Sequence, residues 1–358
     1  MSDRLPGALE RWLDASAEDL DAGRADPESV VPELARHGLF GIGVAEAQGG
    51  SGGLPTDAVR ALSALAERSL TAAFVSWGQR TFIEYLLVSP NEALRERWLA
   101  PLIAGNLAGA TGLSNAIKFL SGIEELQVTA TPRGRSFSVE GRAPWVTNLR
   151  KAGYLVAVAA HAAEASPLVL ALPGDVAGML RSDDFRLFGL GSSNTAALRF
   201  EGLELSSEYV LHPDARCFVA EVRPMFLGLQ CALAIGLSRA SLQSAREGAG
   251  ARSTALVHRI ELAAQRLSEL VNELELGLAD GRFVEEAPPL FAIRIELARV
   301  AQASVELELG ASGGSAYLSD RDRGFARRWR EAAFLPIVSP SVVQLEQELG
   351  RRAAVVAA

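Results

Sequence analysis

Along these 358 residues the hydrophobic period switches twice, from helical to extended and back to helical, and few architectures accommodate that order. Apolar residues recur at helical spacing through 9–109, as in Val30, Val31 and Leu34, and in Val59, Leu62 and Leu65. Short β-like runs follow at 126–131, 137–140, 154–160, 168–172 and 197–205, divided by Arg133-Gly134, Pro173-Gly174 and the 189–194 loop. Helical period then returns over 218–248, 255–278, 289–309 and 321–349. Faces such as Ile293, Leu297 and Val300 suit an up-and-down bundle. The expected fold is mainly α with an inserted antiparallel β domain. It divides into an N-terminal α-helical domain (1–110), a middle β domain (111–215) and a C-terminal four-helix bundle (216–358).

Charge and cysteine content narrow the function. A formal net charge of −8, with arginines scattered along helices, argues against a nucleic-acid or anionic-membrane surface, both of which reward clustered cations. Cys217 and Cys231 offer neither a disulfide framework nor metal-ligand spacing and read as reduced thiols in a cytoplasm. The first seven residues lack the apolar core of a signal peptide. The apolar run 225–237 is shorter than the about 20 residues of a bilayer span and reads as a buried helix. His37, His161, His212 and His258 have no second ligand or nucleophile at useful spacing. Ser192, Ser193 and Ser339 lack a nucleophile elbow. The Gly49 to Gly53 loop has no following lysine and reads as a sharp link between helices.

One segment of the β region carries chemistry. In Pro144-Trp145-Val146-Thr147-Asn148 an aromatic ring and a hydroxyl stand two residues apart, so an extended backbone points both to one side. A planar ring system can rest on Trp145 while Thr147 hydrogen-bonds its edge.

The helix, β, helix order combines with four further segments to resemble the acyl-CoA dehydrogenase superfamily over nearly the whole chain. They are Leu34 to Val44 with Gly49-Gly50-Ser51-Gly52; Trp145-Val146-Thr147-Asn148; Leu190 to Thr195 with Leu198 to Leu203; and Gly236 in a long bundle helix. The resemblance implies FAD as cofactor, with Trp145 behind the isoalloxazine and Thr147 at its reactive edge. It further implies Ser114 at a flavin-contacting turn, Ser121 at the pyrophosphate, and Arg252 reaching the cofactor of a neighbouring subunit. Gly313 and Gly314 correspond to the glycine loop near the FAD phosphates, where Glu308 stands close to an expected glutamine. A homodimer or homotetramer is expected, since the family's bundle packs against its copy.

The same resemblance exposes a gap. In the family a glutamate late in the chain removes a proton from the carbon beside a thioester carbonyl while hydride leaves for flavin N5. Ser339 falls at that position, and a serine hydroxyl is no carboxylate base. On the first bundle helix only Gln230 is polar within 226–231, and Glu221 sits near the helix start, where acids serve the dipole. Glu331 is expected to pair with Arg328 or Arg330. Three functions follow as expectations. The first is an FAD-dependent oxidoreductase that dehydrogenates an acyl-CoA or acyl-carrier thioester and passes electrons to an acceptor flavoprotein. The second is a two-component monooxygenase of the same fold served by a flavin reductase. The third is a non-catalytic subunit paired with an active homologue.

Overall fold

The computed structural model describes residues 5–120, 122–162, 166–249, 254–318 and 324–357. Five helices open the chain: α1 (Gly7–Asp21), α2 (Val30–Arg36), α3 (Pro55–Arg68), α4 (Leu70–Val88) and α5 (Glu92–Ile103). Every residue of α4 from Leu70 to Leu86 is buried, as expected of a helix that is apolar nearly all round. Its start is capped twice. The Ser69 hydroxyl accepts from the Ala72 amide, and Glu331, from the far end of the chain, accepts from the Leu70 amide at 3.0 Å.

The middle region contains β1 (Ala108–Thr111), α6 (Ser114–Leu120), β2 (Val128–Arg133), β3 (Ser136–Val146), β4 (Tyr154–Ala160), β5 (Leu168–Pro173), β6 (Met179–Arg181), β7 (Ala196–Ser206) and β8 (Val210–His212). Two four-stranded sheets, ordered β1-β4-β5-β8 and β2-β3-β7-β6, enclose a core that includes Val139, Val156, Leu170 and Phe200. The purely antiparallel expectation needs correcting at one edge. β1 runs parallel to β4, because it arrives from α5 and not through a hairpin. It also begins at Ala108 and so straddles the expected boundary at 110.

The bundle comprises α7 (Ala215–Ala249), α8 (Thr254–Ala279), the short α9 (Arg282–Glu285), α10 (Ala287–Ser312), α11 (Phe325–Phe334) and α12 (Val342–Ala357). The fourth expected helix is thus two helices. Pro336 and Pro340 fall in the gap, and proline removes an amide donor and clashes with the preceding turn. α7 starts earlier than the apolar run suggested and, by length and composition alone, could cross a membrane. Some 72% of its most apolar window is buried inside the fold. Gly236 lets α7 lie against α3, since a Cβ there would stand 2.2 Å from the Ser63 carbonyl oxygen.

Candidate active site

The flavin-platform candidates sit where β3 leaves its ladder with β7. The register shifts once between Val139 and Gly141 and again between Ala143 and Val146, so Pro144 and Trp145 form a bulge. The bulge aims the Trp145 indole outward, 63% exposed, with Phe185 edge-on at 4.7 Å. Thr147 lies beyond the strand and is 8% exposed. Its hydroxyl meets that of Thr195 at 2.9 Å, which meets Ser193 at 2.8 Å. The expected same-side alternation is therefore lost: the bulge separates an exposed ring from a buried row of hydroxyls.

One side chain connects this segment to the next. Gln79 of α4 donates to the carbonyls of Leu102 and Leu107, and its oxygen accepts from the Gly109 amide and Asn148 Nδ2. Asn148 Nδ2 also donates to the Gly109 carbonyl at 2.9 Å. From this knot, three residues back along the chain lead to Trp145, and five forward from Gly109 lead to Ser114.

Ser114 opens a helix where a turn was expected. Its hydroxyl lies 2.8 Å from that of Ser339, so the residue expected at the base position meets the one expected at a flavin-contacting turn. The Ser339 carbonyl accepts from Gln230 Nε2 at 2.9 Å. Next to this pair is a cleft of about 230 Å³ lined by Tyr85, Leu113, Phe226, Leu227, Phe291 and Pro340, with Lys118, Arg216, Arg223 and Arg352 also on its walls. Residues 219, 223, 226 and 227 share one face of α7, which sets the apolar and cationic parts of the wall in order. Glu348 is the one carboxylate lining the cleft among the described residues, and it is held by Arg351 and Arg352. Arg223 is half-buried, and desolvation together with nearby Arg352 pulls its pKa below the ordinary arginine value.

The remaining sequence candidates separate. Glu221 is exposed and off the cleft. Glu331 pairs with Arg327 at 2.7 Å, and not with Arg328 or Arg330, because the four-residue spacing puts 327 and 331 on one helix face. Burial pushes its carboxyl above the ordinary value against the pull of Arg327. Glu308 is neutralised by Arg328, so it is no bare anion beside a diphosphate. Gly313 and Gly314 are exposed at the end of α10, with no neighbour that an added Cβ would meet. Ser121 and Arg252 lie outside the described residues. A larger groove of about 1440 Å³ between α1, α3, α7, α8 and α11 is remote from this chemistry in composition: Arg60, Arg68, Arg239, Arg327 and Arg328 all have carboxylate partners. No group of three or more His, Cys, Asp or Glu among the described residues is arranged to hold a metal. The Arg294–Gln230 pair beneath Ser339 was missed from sequence. Its signal was two polar letters inside otherwise apolar helical runs.

Residues 7–106 match the family described as acyl-CoA dehydrogenase, N-terminal domain. The chain is 26% identical over 269 residues to benzylmalonyl-CoA dehydrogenase of Aromatoleum aromaticum, covering 72% of this chain and 70% of that protein. It is 24% identical over 348 residues to a probable acyl-CoA dehydrogenase, YngJ, of Bacillus subtilis, covering 90% and 88%. A solved glutaryl-coenzyme A dehydrogenase complex superposes with a TM-score of 0.80 at 16% identity, over 99% of this chain and 97% of that one, and shares its fold. The three-part fold and these relatives define a flavoprotein oxidoreductase class. Within that class, this chain belongs to the acyl-CoA dehydrogenase superfamily.

Proposed function

We propose that this chain is an FAD-dependent oxidoreductase of the cytoplasm that acts on an acyl thioester by α,β-dehydrogenation. The observation that carries this reading is the outward-facing indole of Trp145, set on a bulge two residues before the buried Thr147 and joined through the Gln79 knot to the segment leading to Ser114. An exposed aromatic face with nearby hydroxyl donors fits the ring end of a flavin. Trp145, Thr147 and Ser114 would hold that ring; Ser121, Arg252, Gly313 and Gly314 would serve the phosphate end. When bound, the flavin supplies a two-electron acceptor. The chain's own contribution is to bind and orient. The apolar walls of the cleft exclude water from an acyl group, and the cations along it suit the phosphates of a CoA or carrier arm. An acceptor flavoprotein would take the electrons, and a homodimer or homotetramer would complete the phosphate end through Arg252.

A proton acceptor is the missing part. Among the described residues no carboxylate is hydrogen-bonded to Ser114 or Ser339. That observation favours a second reading, a monooxygenase whose flavin arrives reduced from a reductase and which needs no base at the α-carbon. Three measurements separate the possibilities. Purified protein that carries no flavin and takes up neither FAD nor reduced flavin when these are added would leave only the non-catalytic subunit. Anaerobic bleaching of the flavin by a panel of acyl-CoA thioesters supports dehydrogenation; oxygen-dependent product formation with a flavin reductase supports hydroxylation. Ser339→Glu is expected to create acyl-CoA oxidation or raise it by roughly a hundredfold, the low end for a positioned base. No gain with any thioester would remove the simplest route to dehydrogenation.

A further inference from the structure

Of the cations that line the cleft, Arg223 stands apart. Lys118 is paired with Glu124 at 3.4 Å and Arg352 with Glu348 at 2.9 Å, while Arg216 is exposed. Arg223 is half-buried, and among the described residues it makes neither an ion pair nor a side-chain hydrogen bond. Glu348, the carboxylate that lines the cleft with it, is shared by Arg351 and Arg352. The guanidinium carbons of Arg223 and Arg352 lie 6.0 and 5.9 Å from the centre of one ring, that of Phe291. Three arginines thus gather around one carboxylate, and two of them stand on the wall of a cavity. Desolvation, and after it the like charge of Arg352, hold Arg223 below the ordinary arginine pKa against the pull of Glu348. A desolvated charge in such company is costly to keep unless an anion joins it. Its position says which end of a ligand that anion belongs to. Arg223 precedes Phe226 and Leu227 by one turn of α7, and these buried residues, with Phe291 and Pro340, are the apolar wall offered to an acyl chain.

We propose that the cleft holds a carboxylate-binding subsite in which Arg223, with Arg352 beside it, selects acyl thioesters whose chain ends in a second carboxylate. The inference rests on the thioester reading above and names its substrate class, the monothioesters of short straight-chain dicarboxylic acids. Each such compound from succinyl upward carries hydrogen on both the α- and the β-carbon, the two positions on which α,β-dehydrogenation draws. A guanidinium presents paired N–H donors in the plane and spacing of a carboxylate, and the pairing strengthens where water is scarce. Phosphate would satisfy the same donors, but the phosphates of a CoA arm lie at the opposite end of the thioester from the acyl chain. The exposed Arg216 suits them better. A plain fatty acyl chain would leave Arg223 unpaired and further desolvated, so the residue that favours one class also disfavours the other.

The probes are pairs matched in chain length: succinyl- and butyryl-CoA, glutaryl- and pentanoyl-CoA, adipyl- and hexanoyl-CoA. Dissociation constants are measured by equilibrium dialysis on the protein as purified, with no electron acceptor added. In at least one pair the dicarboxylic member is expected to bind about tenfold more tightly, the low end for a hydrogen bond to a charged group. The ratio within a pair cancels whatever the arginines do for the CoA arm, which both members share. Arg223→Gln should bring that ratio to about one, and Arg223→Lys should keep part of it. Arg352→Gln should lower it as well, and this variant decides the matter if Arg223→Gln does not fold. Ratios near one in every wild-type pair, with the thioesters bound, overturn the proposal and leave the thioester reading standing. An Arg223→Gln protein that loses affinity equally for both members shows that the arginine serves phosphate, and also overturns it. So does an unchanged ratio in folded Arg223→Gln, or in Arg352→Gln where the first variant does not fold. If none of the six thioesters binds, the thioester reading falls and the proposal falls with it.

Discussion

Replacing Trp145 with alanine removes a ring that mostly faces solvent, so folding stability should change little. Flavin affinity should fall roughly two- to tenfold, corresponding to the about 0.5–1.5 kcal/mol of an aromatic pair, as read by equilibrium dialysis and the visible spectrum. Thr147→Ala differs, because its hydroxyl belongs to the buried row with Thr195 and Ser193. It should cost about 1 kcal/mol in a urea melt as well as perturbing the flavin spectrum. Unchanged spectra and occupancy in both variants would remove the flavin-platform assignment. At this scale the sequence exposes residue identities but not their partners. Trp145 and Ser339 could be found by their order along the chain. The Ser339–Ser114 contact spans 225 residues and the Arg294–Gln230 contact spans 64, and no local period encodes either pairing. The outward turn of Trp145 was hidden for a related reason, since a bulge breaks the alternation on which strand reading depends.

Helix positions and starts give the next tests. Gly236→Ala drives a methyl group into the α3 backbone and should destabilise by about 1–3 kcal/mol, measured by chemical denaturation. Asp214 caps α7 by accepting from the amides of Arg216 and Cys217 at 2.7 and 3.0 Å. These bonds, the Cys217 amide first, hold its carboxyl below the ordinary carboxylate value. The sign follows from linkage. A depressed folded pKa contributes stability that is present above the unfolded value and is lost as pH falls through the folded value. Asp214→Ala should therefore cost about 1 kcal/mol at neutral pH, with the gap from wild type closing in acid below the ordinary carboxylate range. A gap that stays constant across that range would show that the carboxylate charge plays no part. Long helices such as α7, α8 and α10 were legible because an apolar stripe persists over many turns. α6 and the α11–α12 break were not. α6 is seven residues long with one buried member, too short for a period, and the break depends on how Pro336 and Pro340 divide an otherwise helical pattern.

For the molecule as a whole, the order of helical, β and helical regions emerged from the sequence because each has its own period. What could not emerge is how the regions are fastened, since that depends on single polar groups meeting across long separations. We expect a homodimer or homotetramer in sedimentation experiments, with dilution to monomers releasing flavin as the neighbouring Arg252 is withdrawn. A strictly monomeric species holding FAD tightly would contradict this. The Gln79 knot bears on any attempt to recombine such proteins. All four hydrogen-bonding sites of its amide are occupied, by α5, the loop after it, β1 and Asn148, so it acts as a fixed socket at the seam between helical and β regions. A β domain transplanted from a relative will seat only if its own Gly109 and Asn148 counterparts meet this socket, and chimera junctions are best cut on the far side of these residues.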